Sequence, residues 1–320
     1  MANQRHALNW LSPAVRLVRS RFDMVRYRGL AKAGETMAIT SMASFWARVA
    51  VVAAALSIGA ARAETQVERG AYLVGTIMTC YNCHTPMGRN GIRSDKAFSG
   101  GLTFDRPGFD VTAPNITPDK ETGIGNWTDA EIARAIRSGI RPDGTKLAGV
   151  MPSGFYGAIT DADMDAIVAY LHTVEPVRSQ VPAPVYRESI EVEVFPGAEK
   201  PIASDGSQEQ RGRYLAIIGH CMDCHTPTEK GVHDYAARLG AGGQDFRGPW
   251  GTSVARNITS SKDRGLGEWT DAEIERAIAD GIARDGTRLR PPMAYASYAR
   301  MTAADLAALV AWLRTLPPKE

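Results

Sequence analysis

This chain of 320 residues is short of long apolar runs and of cysteine. Outside one run of about 12 residues, Val49–Ala60, no stretch is suited to span a membrane, and that run is too short to cross a bilayer comfortably. Charged residues make up 22% and apolar residues 44%, which is ordinary for a soluble globular protein and argues against bulk disorder. The length suffices for two domains of ordinary size.

Residues 1–63 form an N-terminal extension that differs from the rest. From Met37 it reads MAITSMASFWARVAVVAAALSIGAARA, in which a positive Arg48 precedes the apolar run and Ala61-Arg62-Ala63 is a small-x-small sequence. This order predicts a signal peptide cleaved after Ala63, and therefore export to the periplasm or the outer face of the inner membrane. The alternative is an uncleaved N-terminal anchor. Because the part before Met37 is long for a leader, Met37 and Met42 are candidate initiators.

The extension also distorts the charge balance. It holds nine of the 37 lysines and arginines but two of the 35 aspartates and glutamates, so residues 64–320 carry a net charge of −5 instead of +2. No basic stripe remains in that part of the chain. The sequence therefore gives no support to a nucleic-acid partner.

The rest of the chain is an internal repeat. NITPDKETGIGNWTDAEI at 115–132 matches NITSSKDRGLGEWTDAEI at 257–274, and the offset of 142 residues holds as far as the last predicted helix of each copy. Upstream, 68–86 matches 210–227 with one residue gained or lost near the cysteines. Two similar domains in tandem are therefore expected.

The repeat sets the predicted domain boundaries. We expect domains at 64–176 and 208–320, joined by a linker at 177–207 whose prolines, glycines and charges suit an exposed segment. Within the linker, Ser189–Phe195 alternates apolar and polar residues. That stretch is expected either to pair as one short strand or to lie over a domain surface.

Each copy is predicted to be mainly helical, with three helices separated by long loops. The first helix precedes the cysteines. The second opens at a capping box, in which a threonine lies three residues before a glutamate, and it ends at a glycine. The third again opens at a threonine. The predicted starts and ends are Val67–Ile77 and Gln208–Ile218, Thr128–Gly139 and Thr270–Gly281, and Thr160 and Thr302.

The four cysteines all lie in two copies of one motif, Cys80-Tyr-Asn-Cys83-His84 and Cys221-Met-Asp-Cys224-His225. C-x-x-C-H is the attachment sequence of c-type haem: both sulfurs add to the haem vinyl groups, and the histidine then faces the iron. We therefore predict two covalently bound haem c groups with His84 and His225 as iron ligands. A zinc site would leave both histidines unexplained, and a disulfide or redox pair would not account for the rest of the repeat.

Met151 and Met293 are the predicted sixth ligands of the two irons. They correspond at the offset of 142, and both lie in loops beside proline just ahead of the last helix. Most other methionines have no partner in the repeat. The remaining histidines of the two domains also lack counterparts, and we expect them at the surface or at helix ends: His172, His220 and His233.

Two pairs of aromatic residues recur in the repeat. Trp127 and Trp269 precede the capping threonines and suit either the edge of a haem or plain core packing. Tyr72 and Tyr214 lie in the first helix of each copy, where we expect them to pack between helices.

The motifs CxxCHTP, NITPD…TGIGNWTDAEI, the DGT turn and the loop methionine together resemble the cytochrome c domains of bacterial dehydrogenase cytochrome subunits of the alcohol, gluconate and aldehyde types. The resemblance covers nearly all of residues 66–320. It implies two tandem class I cytochrome c domains, each a small helical bundle around a covalent haem. It also implies electron transfer from a periplasmic or membrane-associated dehydrogenase to a quinone, an oxidase or a soluble cytochrome. Peripheral membrane association is a further expectation.

No other catalytic constellation stands out in the sequence, which favours a non-catalytic electron-transfer subunit of an oxidoreductase complex. The alternative is a diheme redox enzyme of the peroxidase or thiosulfate-oxidising type. Such an enzyme needs one open or unusual iron site. Because the sequence offers a methionine to both irons, the alternative is disfavoured.

Overall fold

The computed structural model describes residues 63–89, 91–248 and 250–320. The predicted signal peptide and the candidate initiators therefore lie outside the described residues, apart from Ala63 at the cleavage site. No helix within the described ranges combines the length and apolar character that a membrane span requires.

The fold is mainly α, and the two copies have the same order of elements. The first copy contains α1 (Gln66–Tyr72), a π-helical turn (Leu73–Ile77), α2 (Tyr81–His84), β1 (Met87–Gly88), β2 (Gly91–Ile92), a 3₁₀ turn (Ser94–Lys96), β3 (Thr103–Arg106), β4 (Phe109–Thr112), α3 (Asp129–Ser138), α4 (Ser153–Tyr156) and α5 (Asp161–Thr173). After β5 (Val185–Tyr186), the second copy contains α6 (Gln208–Ile218), α7 (Cys221–His225), β6 (Thr228–Glu229), β7 (Val232–His233), α8 (Tyr235–Arg238), β8 (Asp245–Gly248), β9 (Gly251–Val254), α9 (Asp271–Asp280), α10 (Tyr295–Tyr298) and α11 (Ala303–Thr315).

The short strands form antiparallel hairpins that sit beside the helices. β1 pairs with β2, β3 with β4, β6 with β7, and β8 with β9. In the longer hairpin of the first copy, Phe104 lies opposite Val111. These hairpins leave no signal in the sequence, because strands of two to four residues are too short to show a periodic pattern.

The first and last helices of each copy cross at a glycine. A Cβ built on Gly70 would lie 1.9 Å from the carbonyl oxygen of Ala166 in α5, and one built on Gly212 would lie 1.8 Å from that of Ala308 in α11. Real Cβ atoms do not approach an oxygen so closely, so glycine is required for the helix backbones to touch here. The close crossing anchors the helix that leads into each C-x-x-C-H motif.

The extra residue of the first copy is taken up by the π-helical turn. Tyr72 lies eight residues before Cys80, whereas Tyr214 lies seven before Cys221. The Met78 amide donates to the carbonyl of Leu73 at 2.8 Å, a bond that spans five residues instead of four. The insertion that breaks the repeat therefore has a local structural account.

The capping boxes predicted at the second helix of each copy are confirmed. Glu131 accepts from the Thr128 amide at 2.8 Å while the Thr128 hydroxyl accepts from the Glu131 amide, and Thr270 and Glu273 make the same pair. Each helix then ends at a left-handed glycine, Gly139 or Gly281. Two further boxes, Thr65 with Glu68 and Ser207 with Gln210, start the first helices.

Removing one cap tests its contribution. Thr270→Ala is expected to lower the free energy of unfolding by about 1 kcal/mol, because the side-chain acceptor for an otherwise unpaired helix amide is lost. Denaturant titration followed by circular dichroism measures this. Thr270→Ser keeps the hydroxyl and should retain most of the stability, so an equal loss in both variants would contradict the capping role.

One hydrophobic core runs through both copies. Leu73, Val74 and Ile77 of the first copy and Leu215 and Ile218 of the second are each at most 3% exposed and belong to the same buried cluster. Because the first helices of both copies lie in this shared core, the two C-x-x-C-H motifs are brought near each other.

The linker follows the surface of the first copy. The Val177 carbonyl accepts from Asn115 Nδ2 at 2.7 Å, and β5 then adds to the edge of β4, with Tyr186 opposite Phe109. The predicted strand within Ser189–Phe195 is therefore wrong in position. The strand that pairs at the sheet edge begins earlier, at Val185, after an extended proline-rich segment. Ser189–Phe195 lies over the domain surface, which was the other expectation.

Phe195 joins the linker to both copies. Its ring stacks on Phe155 of the first copy, with the ring centroids 5.2 Å apart, and meets Tyr235 of the second edge-on at 5.0 Å. Its amide donates to the Gly154 carbonyl at 3.0 Å. This end of the linker is therefore held firmly in place, which composition alone did not indicate.

Candidate haem sites

Each C-x-x-C-H motif forms a single helical turn, α2 or α7, with its histidine held by a backbone carbonyl. The Nδ1 atom of His84 lies 2.8 Å from the oxygen of Pro114, and that of His225 lies 2.7 Å from the oxygen of Arg256. A carbonyl can only accept, so Nδ1 carries the proton and Nε2 is left free to bind a metal. The two carbonyls correspond at the repeat offset, so the two imidazoles are oriented by the same device.

The surroundings keep both imidazoles neutral. Burial lowers the pKa of His84 and of His225, although the hydrogen bonds to the Pro114 and Arg256 carbonyls act in the opposite direction. Neutral imidazole is the form that ligates a metal. The pKa directions therefore agree with a role as iron ligands.

The four cysteines are half-buried free thiols. Burial raises the pKa of Cys80, Cys221 and Cys224 to about 12 and also raises that of Cys83. In the described part of the chain, no three His, Cys, Asp or Glu side chains come together so as to hold a metal ion by themselves. The lack of such a cluster in these ranges weighs against the zinc alternative.

The residue before the first cysteine has a left-handed backbone in both copies. Thr79 has φ 52° and His220 has φ 44°, backbone values that residues other than glycine rarely adopt. Each ends the first helix and turns the chain into the cysteine-bearing turn. A strained residue at an equivalent place in both copies marks the site as one that the surrounding fold holds in place.

A cavity of about 3160 Å³ connects the two copies. Its wall includes, from the first copy, Cys80, Cys83, His84, Trp127 and Met151 and, from the second, Cys221, Cys224, His225, Trp269 and Met293. Ligand pockets of drug size usually measure about 300–1,000 Å³, so the space suits much larger groups. The motif residues predicted from the sequence are thus brought together around a space that accommodates a macrocycle in each copy.

Met151 and Met293 occupy corresponding places on the cavity wall, which Met78, Met87 and Met301 also line without a matching methionine in the other copy. Both are half-buried on the cavity wall. Met78, Met164 and Met222 are at most 2% exposed and pack in the core. The pairing seen in the sequence therefore has a counterpart in space, with one methionine of the loop before α5 or α11 at each site.

The three histidines without a counterpart in the other copy fall into two groups. His172 ends α5 and bonds Asp129 at 2.8 Å, and His220 follows the end of α6, so both lie at helix ends as expected. The expectation for His233 is wrong. It lies in β7 with its side chain 12% exposed, because Glu193 of the linker covers it and bonds Nδ1 at 2.6 Å.

The Cytochrome c family model matches this chain twice, over residues 67–175 and 209–317. The chain belongs to the cytochrome c family. It is built of two tandem class I cytochrome c domains, and it carries two covalently attached haem c groups, one for each C-x-x-C-H motif. The cavity, the free thiols and the oriented histidines all fit that cofactor.

Several similar proteins are cytochrome subunits of dehydrogenases. The fructose dehydrogenase cytochrome subunit of Gluconobacter japonicus is 34% identical over 271 residues, which cover 79% of this chain and 53% of that protein. The alcohol dehydrogenase (quinone) cytochrome c subunit of Gluconobacter oxydans (strain 621H) is 31% identical over 265 residues, 76% and 54% of the two chains. This cytochrome therefore spans about half the length of these relatives.

A shorter relative is similar over most of its length. The diheme cytochrome c-type protein of Cereibacter sphaeroides is 30% identical over 257 residues, which cover 75% of this chain and 83% of that protein. Its name states the same number of haems that the two motifs of this cytochrome supply.

An arginine lies beside the tryptophan of each haem domain, a feature that the repeat did not reveal. The guanidinium carbon of Arg141 lies 5.9 Å from the centre of the Trp127 ring. In the second domain, Arg256 and Trp269 line one small cavity. Because Arg141 aligns with Ala283 and Arg256 with Pro114, comparing the copies position by position could not find the pair.

The core-packing expectation for the two tryptophans, Trp127 and Trp269, is met, and both also line the cavity. They therefore lie where the core meets the cofactor space.

Proposed function

We propose that this cytochrome is the diheme electron-transfer subunit of a periplasmic or membrane-associated dehydrogenase. The observation that carries the proposal is the equivalence of the two sites. Each has a cysteine pair, a histidine whose Nδ1 is held by a carbonyl, and a loop methionine on the cavity wall. Two equivalent sites around one cavity suit two carriers in series.

We assign the roles within each site by the chemistry of its side chains. Cys80 and Cys83 would hold the first haem covalently, with His84 and Met151 as the two protein ligands of its iron. Cys221, Cys224, His225 and Met293 would do the same for the second. When bound, haem supplies a one-electron change of its iron, and histidine–methionine ligation raises the potential of that change. The chain's own residues attach the group, orient the imidazole and surround it with apolar walls.

A histidine and a methionine available to each iron favour electron transfer over catalysis. A peroxidase or a thiosulfate-oxidising enzyme needs an iron that substrate can reach, and here a methionine is available to both irons. The arginines beside Trp127 and Trp269 add positive charge next to the cavity, which complements the carboxylates that haem carries.

The donor and the location are inferred from relatives and from the leader. Relatives are named as cytochrome subunits of alcohol, fructose and gluconate dehydrogenases, so we propose as donor a dehydrogenase of a small alcohol, sugar or sugar acid. The acceptor is a quinone, an oxidase or a soluble cytochrome. From the signal sequence predicted in residues 1–63 we propose a location in the periplasm or at the outer face of the inner membrane, with peripheral membrane association.

Spectroscopy and redox titration of the purified protein test this function. We expect two haems per chain by the pyridine haemochrome assay, low-spin iron in both domains, and two reversible one-electron steps. Added hydrogen peroxide should produce no turnover. High-spin iron in either domain together with peroxide turnover would overturn the proposal in favour of the diheme enzyme.

A further inference from the structure

An Arg–Asp ion pair ties the first helix to the last helix within each haem domain. Arg69 of α1 donates from Nε and Nη2 to the two carboxylate oxygens of Asp163 in α5, both at 2.8 Å. The corresponding arginine of the second domain, Arg211 of α6, donates from Nε to Asp305 of α11. The carboxylates are 6% and 1% exposed, so each depends on these partners in place of water.

A tyrosine of the opposite domain completes each of these pairs. The Tyr214 hydroxyl donates to Asp163 Oδ2 at 2.6 Å, and the Tyr72 hydroxyl donates to Asp305 Oδ2 at 2.7 Å. Each hydroxyl also accepts from the backbone amide of the threonine that caps the last helix of the opposite domain. The Thr302 amide donates to the Tyr72 hydroxyl at 3.2 Å, and the Thr160 amide donates to the Tyr214 hydroxyl at 3.4 Å. All four correspondences obey the repeat offset, so the two domains exchange identical hydrogen bonds.

The two sets meet to form one partly buried cluster, the interdomain cluster, defined as Arg69, Tyr72, Asp163, Arg211, Tyr214 and Asp305. The guanidinium carbon of Arg69 lies 5.9 Å from the centre of the Tyr72 ring, which joins the two halves. Burial alone would raise the pKa of Asp163, yet hydrogen bonds from Arg69 and Tyr214 hold it below its usual value. Burial and the bond to Asp305 raise the pKa of Tyr72 to about 12, so its hydroxyl remains a donor.

The cluster bears on the haems because its tyrosines lie in the helices that lead into the C-x-x-C-H motifs. Tyr72 is eight residues before Cys80 and Tyr214 is seven before Cys221. The same helices meet the methionine loops across the domain boundary: Arg300 Nη2, just after α10, donates to the Gly75 carbonyl at 2.6 Å. A rotation of one domain against the other would break both Tyr–Asp bonds at once.

We propose that the hydroxyls of Tyr72 and Tyr214 are positioning groups that fix the orientation of one haem relative to the other, and thereby the rate of electron transfer between the haems. The proposal rests on the proposed function for its consequence, but not for its geometry. The apolar core that the two domains share supplies contact area, and hydrogen bonds add a directional constraint to it. Directional bonds to a buried carboxylate do not tolerate sliding, because a lost donor leaves charge unsatisfied.

The test uses the haem-loaded full chain and the variants Tyr72→Phe, Tyr214→Phe and the double variant. Exciton coupling between the haems in the Soret circular dichroism reports their relative orientation and needs no electron transfer. Photoreduction then gives the interhaem rate. We expect the double variant to lose most of the coupling signal and to transfer electrons severalfold more slowly. Each single variant should show a smaller change, while both haems stay low-spin.

Tyr170→Phe is the matched control. This residue of α5 is half-buried, as Tyr72 is, and within the described chain its hydroxyl makes no hydrogen bond, so its loss should leave both signals unchanged. The inference is overturned if the double variant behaves like Tyr170→Phe. If the double variant does not fold, the same comparison is made with the single variants, and it is overturned if both of them behave like Tyr170→Phe. The coupling signal is read from resting protein. The geometric part of the inference is therefore tested separately from the question whether the protein is an electron carrier or a peroxidase.

Discussion

Replacing Met151 by alanine is expected to convert the first haem from low-spin to high-spin and to lower its midpoint potential. A thioether favours reduced iron, and axial ligands set haem potentials over a range of about 0.8 V, so a fall on the order of 0.1 V is expected. The haem of the second domain should keep its spectrum. Met293→Ala should produce the mirror result, which electron paramagnetic resonance and redox titration can follow haem by haem.

Met87→Leu is the control for the first domain. Met87 lies a few residues after the motif but is 66% exposed, so its loss should change neither spin state nor potential. If Met151→Ala stayed low-spin at an unchanged potential, another side chain would be the sixth ligand and the assignment of Met151 would be wrong.

The sequence was sufficient for the features that local chemistry determines. The spacing of Cys80, Cys83 and His84 predicts covalent haem without any structure, and Thr128 with Glu131 predicts a helix start. Both depend on residues a few positions apart. The offset of 142 then doubled the strength of each inference, since an accidental pattern would not recur in register.

The sequence was insufficient for features that depend on contacts between distant residues. Tyr72 and Tyr214 were expected to pack between helices, and nothing in a periodic pattern marks Asp305 as the partner of Tyr72 across 233 residues. His233 likewise lacked any signal that Glu193 would cover it. Such contacts form only once both domains and the linker are in place, so they become visible in three dimensions alone.

The backbone of the site was also hidden. The left-handed residue before the first cysteine is Thr79 in one domain and His220 in the other, and neither residue type signals that conformation as glycine would. The π-helical turn is related to it: one extra residue in the first helix must be absorbed before the chain reaches Thr79. A gap in an internal repeat next to a cofactor motif is therefore a signal worth reading as a π-helical turn.

Gly70→Ala is expected to destabilise the protein by about 3 kcal/mol or more, the upper part of the range for overpacked cores. The added Cβ would lie 1.9 Å from the carbonyl oxygen of Ala166, which belongs to the backbone of α5 and cannot rotate away. The helices must separate, and the buried ion pair between Arg69 and Asp163 is strained with them. Gly212→Ala should cost a similar amount, since its Cβ would lie 1.8 Å from the oxygen of Ala308.

Gly75→Ala separates this steric effect from the intrinsic effect of the substitution. Gly75 lies in the π-helical turn that continues α1, but a Cβ there would meet only the Arg300 side chain at an ordinary 3.7 Å. Alanine favours a helix over glycine by about 1 kcal/mol, so this variant should be neutral or slightly more stable. Denaturant midpoints of the three variants, with haem content checked, make the comparison. Equal stability of Gly70→Ala and Gly75→Ala would mean that the first and last helices do not cross in contact. The helix crossing could then not be what anchors the C-x-x-C-H turns.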